Sequence, residues 1–182
     1  MELDGKPMIR YVADRMGPQV DRLVLSVETT DESLDFLGLD QVPDPEPGSR
    51  GPLGGLAAAL GFTARHGFDW LVVAPCDAPF LPKDLCDRLV GAAMEEGAPV
   101  AVARDSLRVQ PAFSAWRRDV LDEVSSAVTN RGMAGFFQFL DGCRHCRVEW
   151  PESTPPPFYN INDPAALKRV RAWLMTEEEG HA

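Results

Sequence analysis

The amino-acid sequence predicts an α/β domain in which helices cover both faces of a mostly parallel sheet. Strand-like and helix-like apolar patterns alternate along most of the chain, which indicates βαβ units. The segment 70–74 is continuous and apolar, which is typical of a strand buried on both faces of a parallel sheet. No internal repeat is apparent, so we expect one domain over residues 1–175 and a frayed acidic tail over 176–182.

The boundaries of the elements follow from proline, glycine and capping residues. Pro7 and Pro82 occupy first turns of predicted helices, and Gly97 follows a helix end. Asp163-Pro164 combines an N-cap with proline at the first helical position. In chain order, the sequence predicts helix 7–15, strand 23–27, helix 31–37, extended segment 41–43, helix 56–65, strand 70–74, helix 82–96, strand 99–103, strand 108–116 interrupted at Pro111, helices 118–128 and 133–140, strand 146–150, strand 158–161 and helix 163–175.

Composition narrows the class of protein. The chain has 182 residues and a formal net charge of -10, which argues against nucleic acid as a partner because binding a phosphate backbone needs a basic face. Neither a membrane span nor a signal peptide is recognisable, so the cytoplasm is the expected location. If the ligand is anionic, local devices such as a metal ion or backbone N–H groups must offset the acidity.

Cys143-Arg144-His145-Cys146 has the C-x-x-C spacing of zinc and redox sites. A structural zinc site usually takes a second pair of ligands, and none stands at a suitable spacing. Two ordinary thiols near the start of a strand are therefore the preferred interpretation. We expect all four cysteines to be free thiols.

Asp77 is the first candidate for a functional residue. It closely follows the buried strand and stands between Pro75 and Pro79, which stiffen the turn. Ligands of such sheets bind beyond the carboxyl ends of the strands. A carboxylate there needs a partner, a hydrogen bond or a metal ion. A turn residue that accepts hydrogen bonds from nearby backbone is the alternative, and the sequence leaves both open.

The loop 43–55 is the second candidate, with four prolines and four glycines. Its end, Gly51-Pro52-Leu53-Gly54-Gly55, leads into a helix, whose N-terminus favours anions or polar groups. Without other information, a surface loop with a tight turn is the simpler interpretation. Arg131-Gly132 could contact an anion or cap a helix, and the spacing favours the cap.

Several motifs, taken in order, make the chain resemble the molybdenum cofactor guanylyltransferases, within the wider family of Rossmann-like nucleotidyltransferases. The resemblance extends from Leu3 to about Leu174. The Cys-Asp-x-Pro form is similar to the guanylyl-transferring branch, whereas related cytidylyltransferases more often have Asp-Gln-Pro. The motifs are Leu3-Asp4-Gly5-Lys6-Pro7, Asp44 with Gly51-Pro52-Leu53-Gly54-Gly55, Pro75-Cys76-Asp77-Ala78-Pro79, Gln110-Pro111, and Tyr159-Asn160-Ile161-Asn162-Asp163-Pro164.

This resemblance implies a three-layer Rossmann-like sheet and Mg²⁺-dependent transfer of GMP from GTP to molybdenum-bearing molybdopterin, with pyrophosphate released. By position, Asp77 matches the family's catalytic carboxylate, which binds magnesium and the nucleotide. Asp44 matches a nucleotide contact, and Ser26 falls where the family often has an asparagine contact. Asn160, Asn162 and Arg131 match the side of the site that binds the acceptor. The resemblance also implies molybdoenzyme maturation proteins as further partners.

The resemblance also predicts a departure from the family. The family begins with a strand ending in Leu-Ala-Gly-Gly and a loop that wraps the triphosphate, whereas the given chain starts at Met1 and Lys6 belongs to a later motif. We therefore expect the first strand to be missing from the sheet and activity to be impaired. A start assigned too far downstream is preferred over a relic or another catalytic route, because the remaining motifs are intact.

Two other functions stay open on the sequence. One is a related nucleotidyltransferase that uses CTP or acts on a sugar phosphate. The other is a non-catalytic protein that retains the pterin half of the site and delivers cofactor to a partner.

Overall fold

The computed structural model describes residues 2–45 and 51–179, with side chains as far as Trp173. The short 3₁₀ helices are Gly17–Gln19, Glu32–Leu37 and Arg118–Val120. The strands and α-helices are, in chain order, β1 (Glu2–Leu3), β2 (Lys6–Pro7), α1 (Met8–Met16), β3 (Val24–Val27), β4 (Asp40–Pro43), α2 (Pro52–Arg65), β5 (Trp70–Val73), α3 (Leu85–Glu95), β6 (Val100–Arg104), β7 (Val109–Arg117), α4 (Leu121–Thr129), α5 (Phe136–Leu140), β8 (His145–Glu149) and α6 (Pro164–Glu179).

The strands form three sheets. The main sheet has the order β5-β7-β6-β8, in which β7 is antiparallel to both neighbours and β6 is parallel to β8. Three of its four strands therefore point the same way. A second sheet pairs β3 with β4 in parallel, and β1 and β2 form a short antiparallel hairpin.

Helices cover both faces of the main sheet, which confirms the three-layer α/β prediction. Successive residues of β6 alternate between two hydrophobic clusters: Ala101 and Ala103 face one, and Val100 and Val102 face the other. α1 and α3 pack on the first face, and α2, α4 and α5 pack on the second. Both faces of this central strand are thus fully buried.

The strand predicted at 70–74 differs from expectation. β5 is present over Trp70–Val73, but all four of its residues are half-buried, whereas Val100 to Ala103 of β6 have 0% exposure. The reason is topological, because among the described residues β5 is an edge strand and pairs with β7 alone. The prediction that it is buried on both faces is therefore wrong.

Other elements also differ from the predicted boundaries, because tertiary contacts or turns override the local sequence pattern. α2 begins at Pro52 rather than at residue 56, because the glycine pair is part of the helix. The region 108–116 forms the continuous strand β7, with a register irregularity opposite Val102 and Ala103. The strand predicted at 158–161 is wrong, because this segment has no partner ladder in the described sheets and joins its neighbour through a single backbone bond from Ile161.

A third hydrophobic cluster packs the N-terminal segment of the described residues against the C-terminal one. Leu3 and Met8 pack with Ile161, Ala166 and Val170. α6 is capped as predicted, since Asp163 Oδ1 accepts a hydrogen bond from Ala166 N at 2.7 Å. The helix continues to Glu179, and residues 180–182 of the predicted tail lie outside the described residues.

Within the described residues, no helix combines the length and the apolar character needed to cross a bilayer.

Candidate functional site

Asp77 lies in the turn that follows β5, where the sequence placed it. Ala78 and Leu81, just after it, have 0% exposure and anchor the turn in the core. On the other side, the backbone carbonyl of Asp77 accepts a hydrogen bond from Ile161 N at 2.9 Å. The carboxylate is thus held between the end of β5 and the segment that precedes α6.

The Asp77 carboxylate is partly desolvated, and its burial is not fully compensated by hydrogen bonds. Its Oδ1 atom is buried and has no hydrogen-bond partner among the described residues. Burial raises the pKa of this carboxyl group above its ordinary value, and a hydrogen bond from its own backbone only partly opposes the rise. A buried oxygen without a partner costs about 1–3 kcal/mol. Such a group is stabilised by a ligand that donates a hydrogen bond or carries positive charge.

Two side chains, one in α1 and one in the 3₁₀ helix that follows it, hold the turn after Asp77, and the sequence analysis missed both. Arg15 Nε donates to the carbonyl of Leu81 at 2.9 Å, and Gln19 Nε2 donates to the carbonyl of Pro82 at 3.0 Å. These contacts join residues more than sixty positions apart, so no local motif could have revealed them.

Asn160 and Asn162 flank Ile161, the residue that bonds to the Asp77 backbone. Ile161 is 1% exposed, whereas Asn160 is half-buried and Asn162 is exposed. The buried isoleucine therefore fixes the register of both asparagines beside the Asp77 turn. This pairing brings together two sequence motifs that are more than eighty residues apart.

Ser26, Asp44 and Gly55 form a second close group. A Cβ atom added to Gly55 would lie 2.9 Å from Ser26 Oγ and 3.2 Å from Asp44 Oδ1. Asp44 N donates to the carbonyl of Val27 at 2.9 Å, which extends the β3–β4 pairing by one step. The glycine thus lets the first turns of α2 lie directly against both predicted nucleotide contacts.

The N-terminus of α2 is fixed by the segment before α5. Gly51 has a positive φ of 77°, and an added Cβ atom would lie 2.7 Å from the Ala134 carbonyl oxygen. Leu53 N donates to that same oxygen at 3.0 Å. This part of the predicted loop is therefore packed against the protein. Residues 46–50 of the loop lie outside the described residues.

Both groups lie at the carboxyl edge of the strands. Gly55, in the first turn of α2, lies beside Ser26 near the end of β3. Phe62, near the other end of α2, lies under the guanidinium of Arg22, which precedes β3, at 5.2 Å. The chain then enters β5, so β3 and β5 begin at one edge and end at the other. Ser26 and Asp77 thus share the edge where ligands of α/β sheets bind.

Arg131 makes no hydrogen bond to the Asp77 turn or to the group of Ser26, Asp44 and Gly55 among the described residues; its hydrogen bond is to its own helix. It is exposed just beyond α4, and its guanidinium donates to the carbonyl of Glu123 in that helix at 3.5 Å. Gly132 follows with a positive φ of 63°. This geometry fits a residue that caps a helix end.

The cysteines of the C-x-x-C motif lie in different clusters. Cys143 packs on the α2, α4 and α5 side of the main sheet, and Cys146 packs on the α1 and α3 side. Burial raises the pKa of Cys143 to about 11 and raises that of Cys146. The motif therefore does not present two thiolates to one ion. All four cysteines are free thiols, as expected.

A divalent cation at Asp77 fits the chemistry of the site if water and substrate phosphates supply its other ligands. The described residues contain no group of three or more His, Cys, Asp or Glu side chains placed to hold a metal. Mg²⁺ characteristically uses only one or two protein carboxylates and takes its remaining ligands from water and substrate phosphates. The orphaned oxygen of Asp77 is suited to that single-carboxylate arrangement.

The three-layer α/β fold, with polar groups at the carboxyl edge of the strands, is the architecture of the Rossmann-like nucleotidyltransferases. A family model described as "MobA-like NTP transferase domain" matches residues 1–147. The chain belongs to this family.

Individual relatives agree with this assignment. A protein named molybdenum cofactor guanylyltransferase from Cereibacter sphaeroides is 36% identical over 177 residues, covering 97% of this chain and 88% of the relative. One of the same name from Rhodopseudomonas palustris (strain BisB5) is 33% identical over 165 residues, covering 90% and 79%. The crystal structure of molybdopterin-guanine dinucleotide biosynthesis protein A from Archaeoglobus fulgidus has a TM-score of 0.76 at 21% identity, covering 97% of this chain and 89% of that one.

Proposed function

We propose that this protein transfers GMP from GTP to molybdenum-bearing molybdopterin and releases pyrophosphate. The observation that carries the proposal is the buried, unpartnered oxygen of Asp77 at the carboxyl edge, in a member of a nucleotidyltransferase family. The names of the relatives at 33% and 36% identity support the choice of guanylyl transfer.

In this reaction, a terminal phosphate oxygen of the pterin attacks the α-phosphorus of GTP, and the bond to the β-phosphate breaks as pyrophosphate leaves. Mg²⁺ supplies charge neutralisation on the phosphates when it is bound at Asp77. The protein mainly aligns two anions, since phosphoryl-group transfer requires little covalent work from side chains.

The proposal assigns two groups of residues to the two substrates. Asp44 and Ser26, on one side, contact the nucleotide at the start of α2. Asn160 and Asn162, beside the Asp77 turn, contact the acceptor. Arg131 is the weakest member of this set, because its hydrogen bond is to its own helix end.

Nucleotide choice tests the proposal directly. With Mg²⁺ present, we expect this chain to bind GTP at least about tenfold more tightly than CTP, a difference of about 1.4 kcal/mol. Equilibrium titration by calorimetry measures both affinities without requiring turnover. A preference for CTP would point to a cytidylyltransferase and would refute guanylyl transfer.

The Gly55→Ala substitution tests the nucleotide side of the site. The new methyl group would displace Ser26 Oγ and Asp44 Oδ1, so we expect GTP affinity to fall about tenfold. Stability should change little, because the serine hydroxyl can rotate away and alanine is favoured over glycine inside a helix by about 1 kcal/mol. Titration with GTP and thermal unfolding measure the two effects separately.

Gly91→Ala, in the middle of α3, is the matched control. An added Cβ atom there meets nothing within 4 Å, so it reports the helix-propensity gain alone. If Gly55→Ala and Gly91→Ala left GTP affinity equally unchanged, the assignment of Ser26 and Asp44 to the nucleotide would be wrong.

A further inference from the structure

The segment 158–162 carries the two proposed acceptor contacts, Asn160 and Asn162, but it belongs to none of the described sheets. Its backbone joins the Asp77 turn through one hydrogen bond, from Ile161 N to the Asp77 carbonyl at 2.9 Å. No ladder of backbone hydrogen bonds to the described strands sets its position. The place of the two asparagines therefore depends on the side chains that anchor the segment.

Two buried side chains anchor the segment, one on each side of Asn160. Ile161 is 1% exposed and packs in the cluster that contains Leu3 and Met8. Phe158 is 3% exposed and packs in the cluster on the α1 and α3 face of the main sheet. Because the two anchors lie in different clusters, they fix both the position and the direction of the short segment between them.

Two aromatic neighbours hold Phe158. Its ring centroid lies 4.7 Å from that of Phe113 in β7, and the ring of Trp150 meets it at 5.4 Å and an interplanar angle of 89°. Edge-to-face pairs of this kind are specific in geometry, so the orientation of the indole determines where the phenylalanine ring fits. Trp150 is 4% exposed and directly follows β8. Its orientation therefore bears on the whole segment.

The residue before α3 fixes the ring nitrogen of Trp150. Asp84 occupies the N-cap position of α3, but its side chain makes no capping hydrogen bond. Asp84 Oδ1 instead accepts a hydrogen bond from Trp150 Nε1 at 3.1 Å. Aspartate at an N-cap usually accepts from the first backbone N–H groups of its own helix. Here the carboxylate makes a contact with a residue 66 positions away in place of the local one.

Arg88, in the next turn of α3, contacts the face of the same indole. Its guanidinium carbon lies 4.2 Å from the centroid of the Trp150 ring, and its Nη2 atom donates to the carbonyl of Glu149 at 2.6 Å. Its Nη1 atom lies 3.7 Å from Asp84 Oδ2. We call Asp84, Arg88 and Trp150 the indole clamp. A cation over the ring face and an acceptor at the ring nitrogen together select one orientation of the indole.

We propose that Trp150 is a positioning residue for the acceptor. Through Phe158, the indole clamp holds the two asparagines of the 158–162 segment beside the Asp77 turn. This inference rests on the proposed function, because it takes Asn160 and Asn162 as the acceptor contacts. A displacement of about 1 Å can cost about a hundredfold in rate when two reactants must be aligned, so a buried residue that sets this alignment influences the reaction from outside the site.

Asp84→Ala tests the indole clamp with little disturbance of the core, because the Asp84 side chain is exposed. We expect the affinity for molybdopterin, measured by titration of its pterin fluorescence, to fall at least about tenfold. GTP affinity should stay within about twofold, because Ala78 and Leu81 anchor the Asp77 turn in the core independently of the clamp.

Two further variants show whether the hydrogen bond to the indole is responsible. Asp84→Asn keeps an oxygen acceptor for Trp150 Nε1, so it should restore molybdopterin affinity. Asp87→Ala is the matched control, because Asp87 is also an exposed aspartate near the start of α3. It should bind molybdopterin as the parent chain does.

Amide hydrogen exchange at Ile161 measures the placement of the segment directly, because this N–H is bonded to the Asp77 carbonyl. In Asp84→Ala, we expect Ile161 to exchange at least about tenfold faster relative to Val102 of the central strand β6. The ratio to Val102 removes any change in global stability from the comparison.

A pair of tryptophan substitutions provides the second test of the same placement. Trp150→Phe keeps an aromatic ring but removes the indole N–H, so it should speed Ile161 exchange and weaken molybdopterin binding as Asp84→Ala does. Trp116→Phe is its control, because Trp116 is 0% exposed and its indole N–H donates to Ser114 Oγ at 2.7 Å in the cluster on the opposite face of the sheet. It should leave the exchange ratio and molybdopterin affinity unchanged.

Three outcomes would overturn the proposal. These are unchanged molybdopterin affinity in Asp84→Ala, failure of Asp84→Asn to restore a lost affinity, or an equal rise of Ile161 exchange in Trp116→Phe and Trp150→Phe. Failure of the parent chain itself to bind molybdopterin, or its preference for CTP over GTP, would instead refute the proposed function. The two failures are therefore distinguishable.

Discussion

Replacing Asp77 with alanine is expected to abolish Mg²⁺-dependent guanylyl transfer while leaving the protein folded. Loss of the carboxylate in the turn after β5 removes the proposed protein ligand of the cation, so we expect at least about a hundredfold loss of kcat/KM, or about 2.7 kcal/mol. Folding should survive because the substitution removes a buried oxygen that has no partner among the described residues. Transfer from radiolabelled GTP and thermal unfolding measure the two quantities.

The pH dependence of stability gives a second readout for the same residue. The pKa of Asp77 is raised in the folded state, so the folded protein binds more protons than the unfolded chain between the ordinary value near 3.8 and the raised value. Stability from this group is fully present below the lower value and is lost as pH rises through the upper one. Asp77→Asn should therefore flatten this part of the stability profile measured by urea unfolding.

Cation binding should show the opposite trend with pH. Mg²⁺ requires the ionised carboxylate, so its affinity should fall as the pH approaches the raised pKa of Asp77 from above. Asp141→Ala is the control, since Asp141 is an exposed aspartate beyond the end of α5. Equal activity of Asp77→Ala and Asp141→Ala would refute the metal assignment.

The location of Asp77 was predictable because three local signals coincide. An apolar run predicts a buried strand, the prolines predict a tight turn, and the carboxyl ends of such strands bind ligands. The structure places Asp77 in this turn, and its role as a metal ligand stays a prediction. What the sequence could not reveal is that one carboxylate oxygen lacks a partner among the described residues, since the surroundings of this turn include residues distant in the chain, such as Ile161.

The errors in the predicted fold have one common cause, because the pairing of strands is not determined by the local sequence. The apolar pattern of β5 is that of a central strand, but its observed exposure depends on which strands lie beside it. The segment 158–161 has strand-like side chains, but it makes one backbone bond to Asp77 instead of a ladder. In contrast, the cap at Asp163 is a short-range interaction, and it was predicted correctly.

The glycines of the 51–55 segment illustrate the same limit within a candidate site. The sequence suggests either approach of backbone to a ligand or a simple surface turn. The structure gives a third reason, because Gly51 packs on the Ala134 carbonyl and Gly55 on Ser26 and Asp44. Ala134 is about eighty residues away in the chain, and nothing in its local sequence indicates the contact.

Gly51→Ala is expected to be strongly destabilising, by about 3 kcal/mol or more. Gly51 has φ of 77° and ψ of -175°, a region that is essentially restricted to glycine and costs other residues about 1–3 kcal/mol. The added Cβ atom would also lie 2.7 Å from the Ala134 carbonyl oxygen, which cannot move without breaking its bond from Leu53 N. Thermal and urea unfolding should show a fall in melting temperature of about 10 °C.

Gly67→Ala is the control that lacks the clash with a neighbouring atom. Gly67 has a similar positive φ of 78°, but an added Cβ atom meets nothing within 4 Å. It should therefore carry the backbone strain of its own position, about 1–2 kcal/mol, without a clash. The excess loss at Gly51 then reports the clash with Ala134 together with the more restricted backbone region of Gly51. Equal losses at the two positions would show that the contact with Ala134 is unimportant.

The clash at Gly51 is with a backbone atom, and this gives a further test. Because the closest atom is the Ala134 carbonyl oxygen rather than its Cβ atom at 3.2 Å, shortening Ala134 to glycine should not rescue Gly51→Ala. The effects of Gly51→Ala and Ala134→Gly should then add to within about 0.5 kcal/mol. Rescue by Ala134→Gly would mean that the side chain, not the carbonyl that receives the Leu53 hydrogen bond, fixes the start of α2 beside Ser26 and Asp44.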